Sequence, residues 1–275
     1  MQSSDGMTFG FVRPGKALIG LMVAVTTVWL MFAIGLNWGG ASPSVFALLT
    51  GNTEAILHGE VWRLFTAPVM HTPRGPNSVG HLLMALFGLF FFAPRLEQLW
   101  GSTRMLRFIA LSSVFSYLLQ MACELVLPEP LAARMVGSYW YGLGPAVSAI
   151  AIAWACSFKG QTVQLLFLPP MSSRTLILIV VGLAFLKLAA GAEPEEGLLA
   201  PFFGMGLGWL LGGGTPSPLR KAWLKLRLAR LEGKDARARG RNGPRRPRPN
   251  PGGLRVIPGG RADDDDKGPD GRWLN

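Results

Sequence analysis

The chain has 275 residues, of which 49% are hydrophobic and only 16% are charged, and its mean hydropathy is +0.32. Soluble domains carry about 25% charged residues, so this composition excludes an ordinary soluble domain and indicates an integral membrane protein. The formal net charge is +11, and residues 216–275 supply +9 of it, with 16 Lys and Arg against 7 Asp and Glu. A nearly neutral membrane body therefore precedes a basic tail.

Long apolar segments recur along the membrane body. The first is a run of about 20 residues, which as a helix spans the roughly 30 Å hydrocarbon core of a bilayer. We predict six transmembrane helices, over residues 17–36, 80–93, 105–126, 141–158, 175–192 and 198–214. The acidic turn EPEEG, residues 193–197, joins the last two helices. The sequence thus predicts an all-α membrane protein.

A long connection, residues 37–79, separates helices one and two. Its two apolar patches, SVFALL and VWRLFTAPVM, are too short to span a membrane. They fit short helices that lie in the outer membrane interface, with Trp38 and Trp62 at the level of the lipid headgroups.

The distribution of Lys and Arg predicts the orientation of the chain. If the N-terminus is cytoplasmic, the inner segments carry Arg13, Lys16 and the whole basic tail. Since six is an even number, both termini are then cytoplasmic, and Lys187 snorkels towards the outer face. We expect a multi-pass protein of a bacterial inner membrane, with a cytoplasmic N-terminus (1–16), a membrane domain (17–214) and a cytoplasmic tail (215–275).

The basic tail begins with a segment that fits two interpretations. Residues 218–232, PLRKAWLKLRLARLE, fit either a basic helix on the membrane surface or a solvated continuation of helix six. Residues 233–275 are rich in Gly, Pro and Arg, so we expect disorder. Each Lys or Arg near an anionic membrane contributes on the order of 1 kcal/mol of attraction. We therefore expect membrane lipids as partners of the tail, and no specific nucleic-acid binding.

Small residues on helices four and six predict that these two helices pack directly together. They include Gly142 on helix four and Gly204 and Gly208 on helix six, and small residues allow transmembrane helices to approach closely. The alternative is that Gly is simply frequent in membrane helices. Cys123 and Cys156 lie near opposite membrane faces, so we predict free thiols that pack as small core residues. No metal-site spacing occurs, and no cofactor is expected.

Four motifs occur in an order that matches a known family. The outer loop carries GEVWRLFTAPVMH at residues 59–71, and helix two with the following loop reads GHLLMALFGLFFFAPRLEQLWGSTRMLRF at residues 80–108. Helix four contains GLGPAVSAI, and helix six contains APFFGMGLG. Over roughly residues 17–214 the chain resembles the rhomboid intramembrane serine proteases. The resemblance implies a six-helix rhomboid-like bundle with a long outer loop between helices one and two.

The resemblance also implies a catalytic serine on helix four, a histidine base on helix six, and oxyanion donors partly from a His-x-x-x-Asn pair on helix two. A serine hydroxyl needs a base within hydrogen-bond reach, and one oxyanion donor contributes about 10²–10³ in rate. Here the serine position is Gly144, the histidine position is Pro201, and the pair reads His81 and Ala85. No catalytic residue is therefore assigned.

A few polar residues remain as candidates for chemistry. Ser148, one turn after Gly144, could be a nucleophile with Lys187 as base, but we expect it to be a small packing residue. His81 could bind a carbonyl or a headgroup phosphate, although the favoured interpretation is a bond to outer-loop backbone. The outer-loop motif comprises Glu60, Trp62 and Arg63, and the arginine is expected to pair with loop carbonyls or headgroups rather than with substrate.

Three functions follow as hypotheses. By resemblance to inactive rhomboids and derlins, the leading one is a pseudoprotease that binds transmembrane segments of other membrane proteins. The second is an active serine-type endopeptidase that performs intramembrane proteolysis with different residues. The third is a lipid-interacting membrane scaffold.

Overall fold

The computed structural model describes residues 12–136, 138–158, 162–163, 171–190, 195–212, 214 and 216–241. The predicted helical fold class is confirmed, and a pair of two-residue antiparallel strands is added to it. The elements in chain order are α1 (Lys16–Asn37), α2 (Pro43–Leu49), α3 (Thr53–Leu57), α4 (Arg63–Thr66), α5 (Ser78–Trp100), α6 (Ser102–Val126), α7 (Glu129–Met135), α8 (Gly144–Ser157), β1 (Thr162–Val163), β2 (Met171–Ser172), α9 (Ser173–Ala189), α10 (Ala200–Gly212) and α11 (Pro218–Arg241).

Each of the six predicted transmembrane helices has a helical counterpart. Among the described residues, three helices (α1, α5 and α6) are long and apolar enough to cross a membrane. The helices α8 and α10 are apolar but have only 14 and 13 residues. A perpendicular span needs about 20 residues, so the count of six spans stays a prediction.

Two of the helix boundaries that differ from the prediction have a clear local cause. Helix α5 continues to Trp100, and Pro94 lies buried inside it rather than ending it, as membrane helices tolerate. Helix α8 begins only at Gly144, because Gly142 has a φ of +120° and lies in the preceding turn. Pro145 then occupies the first turn of the helix, where its missing N–H costs nothing. Gly142 therefore precedes α8 rather than lying in the helix as predicted.

Helix α8 is the centre of the bundle, since ten of its 14 residues are buried. It packs against α5, α6, α9 and, most extensively, α10. A Cβ atom at Gly204 would collide with the carbonyl group of Pro145, and one at Gly208 would collide with that of Ala149. The predicted direct packing of helices four and six is confirmed, and it brings the two backbones into contact.

One buried carboxylate joins three helix ends on the opposite side of the bundle from the α8 turn. Glu97, near the end of α5, accepts a hydrogen bond from the backbone N–H of Gly15 at 2.8 Å and another from the Ser102 hydroxyl at 2.7 Å. Gly15 caps the start of α1 and Ser102 begins α6. The side chain of Glu97 therefore fixes where α1 and α6 begin relative to the end of α5.

The chain divides into two compact units, Met1–Leu224 and Lys225–Asn275. The described part of the second unit ends at Arg241 and belongs to α11. Residues 233–241, for which the sequence analysis expects disorder, belong to this helix, and their Ala, Arg and Lys residues favour helix formation. Residues 242–275 lie outside the described part, as do residues 1–11. In the first unit, Cys123 and Cys156 are free thiols, as predicted.

Candidate functional site

A cavity of about 340 Å³ lies between α5, α8, α9 and α10. It is lined by every helical residue that the sequence analysis considered for chemistry: His81, Ala85, Gly144, Ser148, Lys187 and Pro201. Gly144 and Pro201 each lie in the first turn of their helices, and His81 lies in the first turn of α5. The fold therefore brings these positions together around one cavity, although Gly144, Pro201 and Ala85 lack the side chains that the family resemblance implies for catalysis.

The position expected for a nucleophile is closed by a carboxylate. Glu196 lies in the segment before α10, and its carboxylate oxygens occupy the space that a Cβ atom at Gly144 would need. The Oε1 atom of Glu196 lies 3.3 Å from Nε2 of His81, and both side chains are nearly buried, with exposed fractions of 12% and 10%. The sequence analysis placed Glu196 in the acidic turn EPEEG and assigned it no role.

The other face of His81 contacts the outer loop. The backbone N–H of Thr72 donates to Nδ1 of His81 at 3.4 Å, and the Thr72 hydroxyl lies 3.2 Å from the same atom. Because a backbone N–H can only donate, Nδ1 is an acceptor, and Nε2 carries the hydrogen that is donated to Glu196. His81 thus bonds to loop backbone on one side and to the cavity carboxylate on the other.

The electrostatics of the site favour an ionised glutamate. Burial raises the pKa of the Glu196 carboxyl, but the hydrogen bond from His81 and electrostatic interactions with His81, Lys187 and His71 lower it by more, so the net pKa lies below its usual value. The site therefore contains a negative charge at neutral pH.

A second histidine packs beside the pair and is held neutral. His71 is buried, and its ring centroid lies 4.9 Å from that of His81. Burial and the adjacent His81 lower the pKa of His71 from 6.5 to about 4. Its Nδ1–H donates to the carbonyl of Val69 at 3.2 Å. Among the described residues, its buried Nε2 has no hydrogen-bond partner.

A family model, the Rhomboid domain, matches residues 58–216. The match covers more than half of the chain and includes the whole cavity. The chain belongs to the rhomboid family. No curated protein matches the chain. The predicted resemblance is thereby confirmed at the level of the family, and α1 lies outside the matched range.

In this rhomboid, the motif of Glu60, Trp62 and Arg63 stabilises the connection between α1 and α5 and does not line the cavity. Arg63 is buried, and its guanidinium donates to the carbonyl oxygens of Thr50, at 2.8 Å, and Ala47. Its Nε also donates to Glu60 at 2.6 Å. Arg63 therefore pairs with loop carbonyls and an acid, which fixes α2 against α4. Trp62 has an exposed fraction of 43%.

The turn before α8 contacts both the connection between α1 and α5 and the cavity. The N–H of Gly142 donates to the carbonyl of Ala67 at 3.0 Å, and the Tyr117 hydroxyl donates to the carbonyl of Gly142 at 2.7 Å. A Cβ atom at Gly142 would lie 2.8 Å from Nε2 of His81. Glycine is therefore required here both by its positive φ and by the approach of the imidazole.

Proposed function

We propose that this rhomboid is proteolytically inactive and binds transmembrane segments of other membrane proteins. The observation that carries the proposal is the closed nucleophile position. Gly144 has no side chain, and the carboxylate of Glu196 fills the space that the Cβ atom of a residue at this position would need. Restoring a serine would require the Glu196 side chain to move.

The second candidate is an active endopeptidase that uses Ser148. In its favour, Ser148 and Lys187 line the same cavity. Against it, a hydroxyl nucleophile needs a base within hydrogen-bond reach. Among the described residues, no hydrogen bond joins Ser148 to Lys187, His81 or Glu196. Binding without cleavage therefore has the better support.

The apolar rim of the cavity suggests how a client segment would reach it. Met84 of α5 and Leu183 of α9 line the cavity, and their exposed fractions are 69% and 54%. In a bilayer these side chains face lipid, and a client helix can pack against them by van der Waals contact. We propose that clients enter laterally between α5 and α9, within a six-span topology that has both termini in the cytoplasm.

Site-specific photocrosslinking tests client binding with a matched control. Met84 and Met31 are the same residue type and have the same exposed fraction, 69%, but Met31 lies on α1, away from the cavity. A photoreactive residue is placed at either position in the full chain, in liposomes that contain a single-pass transmembrane peptide. We expect capture of the peptide from position 84 at several times the yield from position 31. Equal yields from both positions, or none from either, contradict client binding at the cavity.

A further inference from the structure

The cavity contains two opposite charges that do not neutralise each other directly. The carboxylate of Glu196 is nearly buried, whereas Lys187 is exposed on α9. The positive charge of Lys187 lowers the pKa of Glu196. Among the described residues, however, Lys187 forms no salt bridge within 4.0 Å. A ligand can therefore meet a negative charge inside the cavity and a positive charge at its rim.

The carboxylate of Glu196 can accept further hydrogen bonds. The Oε1 atom of Glu196 accepts from His81, but among the described residues no donor bonds to Oε2. A nearly buried carboxylate oxygen is stabilised by a charged or polar donor. The site thus favours a ligand that carries N–H groups, and a cationic donor more than a neutral one.

The remaining surface of the cavity is apolar and faces lipid. Met84, Val180, Leu183 and Ala184 line it on α5 and α9; Met84 and Leu183 are exposed, whereas Val180 and Ala184 are partly buried. Its volume of about 340 Å³ falls in the range of about 300–1,000 Å³ that is typical of small-molecule sites. The occupant therefore needs an apolar part that lies along these helices, in addition to its two charges.

We propose that the cavity binds a zwitterionic phospholipid whose headgroup ends in a primary ammonium, such as phosphatidylethanolamine. The ammonium donates to Oε2 of Glu196, the phosphate pairs with Lys187, and the acyl chains lie along the apolar faces of α5 and α9. A quaternary ammonium has no N–H to donate, so phosphatidylcholine lacks the inner contact. An anionic lipid without an amine places no cation beside Glu196. This proposal does not depend on client binding.

Two lipids that differ only in N-methylation test the proposal. Phosphatidylethanolamine and phosphatidylcholine with identical acyl chains are titrated into the delipidated full-length protein in micelles, and binding is measured by native mass spectrometry. We expect the native protein to prefer the primary amine by about tenfold, as one charge-assisted hydrogen bond allows. Equal affinities for the two lipids would overturn the proposal without any variant.

Substitutions then assign the preference to its residues. Glu196→Gln is expected to reduce the preference to about twofold or less. Lys187→Met is expected to weaken the binding of both lipids by a similar factor and to leave the ratio of the two affinities unchanged. Glu195→Gln is the matched control, because Glu195 is the adjacent carboxylate and does not line the cavity; it should keep the full preference. A preference that survives in the Glu196→Gln variant, with its helical content intact, contradicts the assignment.

Discussion

Substituting Gly208 by Ala is expected to lower the free energy of unfolding by about 3 kcal/mol. The added methyl group would meet the backbone carbonyl of Ala149 on α8 rather than the end of a flexible side chain. Backbone atoms cannot rotate away, so α10 must move from α8 along the most extensive contact of the bundle. Gly204→Ala is expected to act similarly through Pro145. Reversible unfolding in mixed micelles, followed by circular dichroism, measures the loss.

The same helix provides the control. Gly206 lies two residues from each of these glycines, and a Cβ atom there would have nothing within 4 Å. Gly206→Ala is therefore expected to change the free energy of unfolding by no more than about 1 kcal/mol, mostly through helix propensity. A similar loss for Gly206→Ala and Gly208→Ala would contradict the close packing of α8 and α10.

Acidification from pH 6.5 to pH 4 is expected to remove about 3 kcal/mol of stability through one histidine. The pKa of His71 falls from 6.5 to about 4 in the folded protein, since the buried ring resists protonation. Between these two values the unfolded chain binds a proton at His71 and the folded chain does not. His71 therefore does not reduce the free energy of unfolding above pH 6.5, and its effect grows as the pH falls towards 4. The lowered pKa of Glu196 adds a further loss below the usual range of a carboxyl group.

Two neutral substitutions separate His71 from the other titrating groups. In His71→Gln, the steep decline between pH 6.5 and pH 4 should disappear, although the stability at neutral pH falls as well. His58 is exposed, so His58→Gln should retain the decline. The measurement is the free energy of unfolding at a series of pH values and fixed detergent composition. A decline of equal slope in the His71→Gln variant would show that His71 is not its source.

The helices and the contact between α8 and α10 could be predicted because short sequence patterns determine them. Apolar runs give the helices, and glycines four residues apart on helix six give the stripe on which α8 packs. The end of α5 and the start of α8 were placed wrongly for local reasons too. Pro94 does not stop a membrane helix, and the positive φ of Gly142 delays the start of α8.

The chemistry of the cavity could not be predicted from the sequence in the same way. Glu196 and His81 are 115 residues apart in the chain, and only the packing of α5, α8 and α10 brings their side chains to 3.3 Å. The absence of a side chain at Gly144 was visible in the sequence, but the group that fills the space was not. The sequence predicted that Arg63 binds backbone carbonyls, but only the fold shows that these belong to Ala47 and Thr50.

Cleavage by the purified full-length protein, reconstituted in liposomes with a transmembrane substrate that active rhomboids cut, tests the central claim most directly. The Ser148→Ala variant is assayed in parallel, and circular dichroism establishes that both proteins are folded. The account predicts no cleavage by either protein, because Glu196 fills the space beside Gly144 and, among the described residues, the Ser148 hydroxyl of the cavity is not bonded to a base. Cleavage by the native protein that is lost in the Ser148→Ala variant would contradict it, and would establish a rhomboid active site built on Ser148.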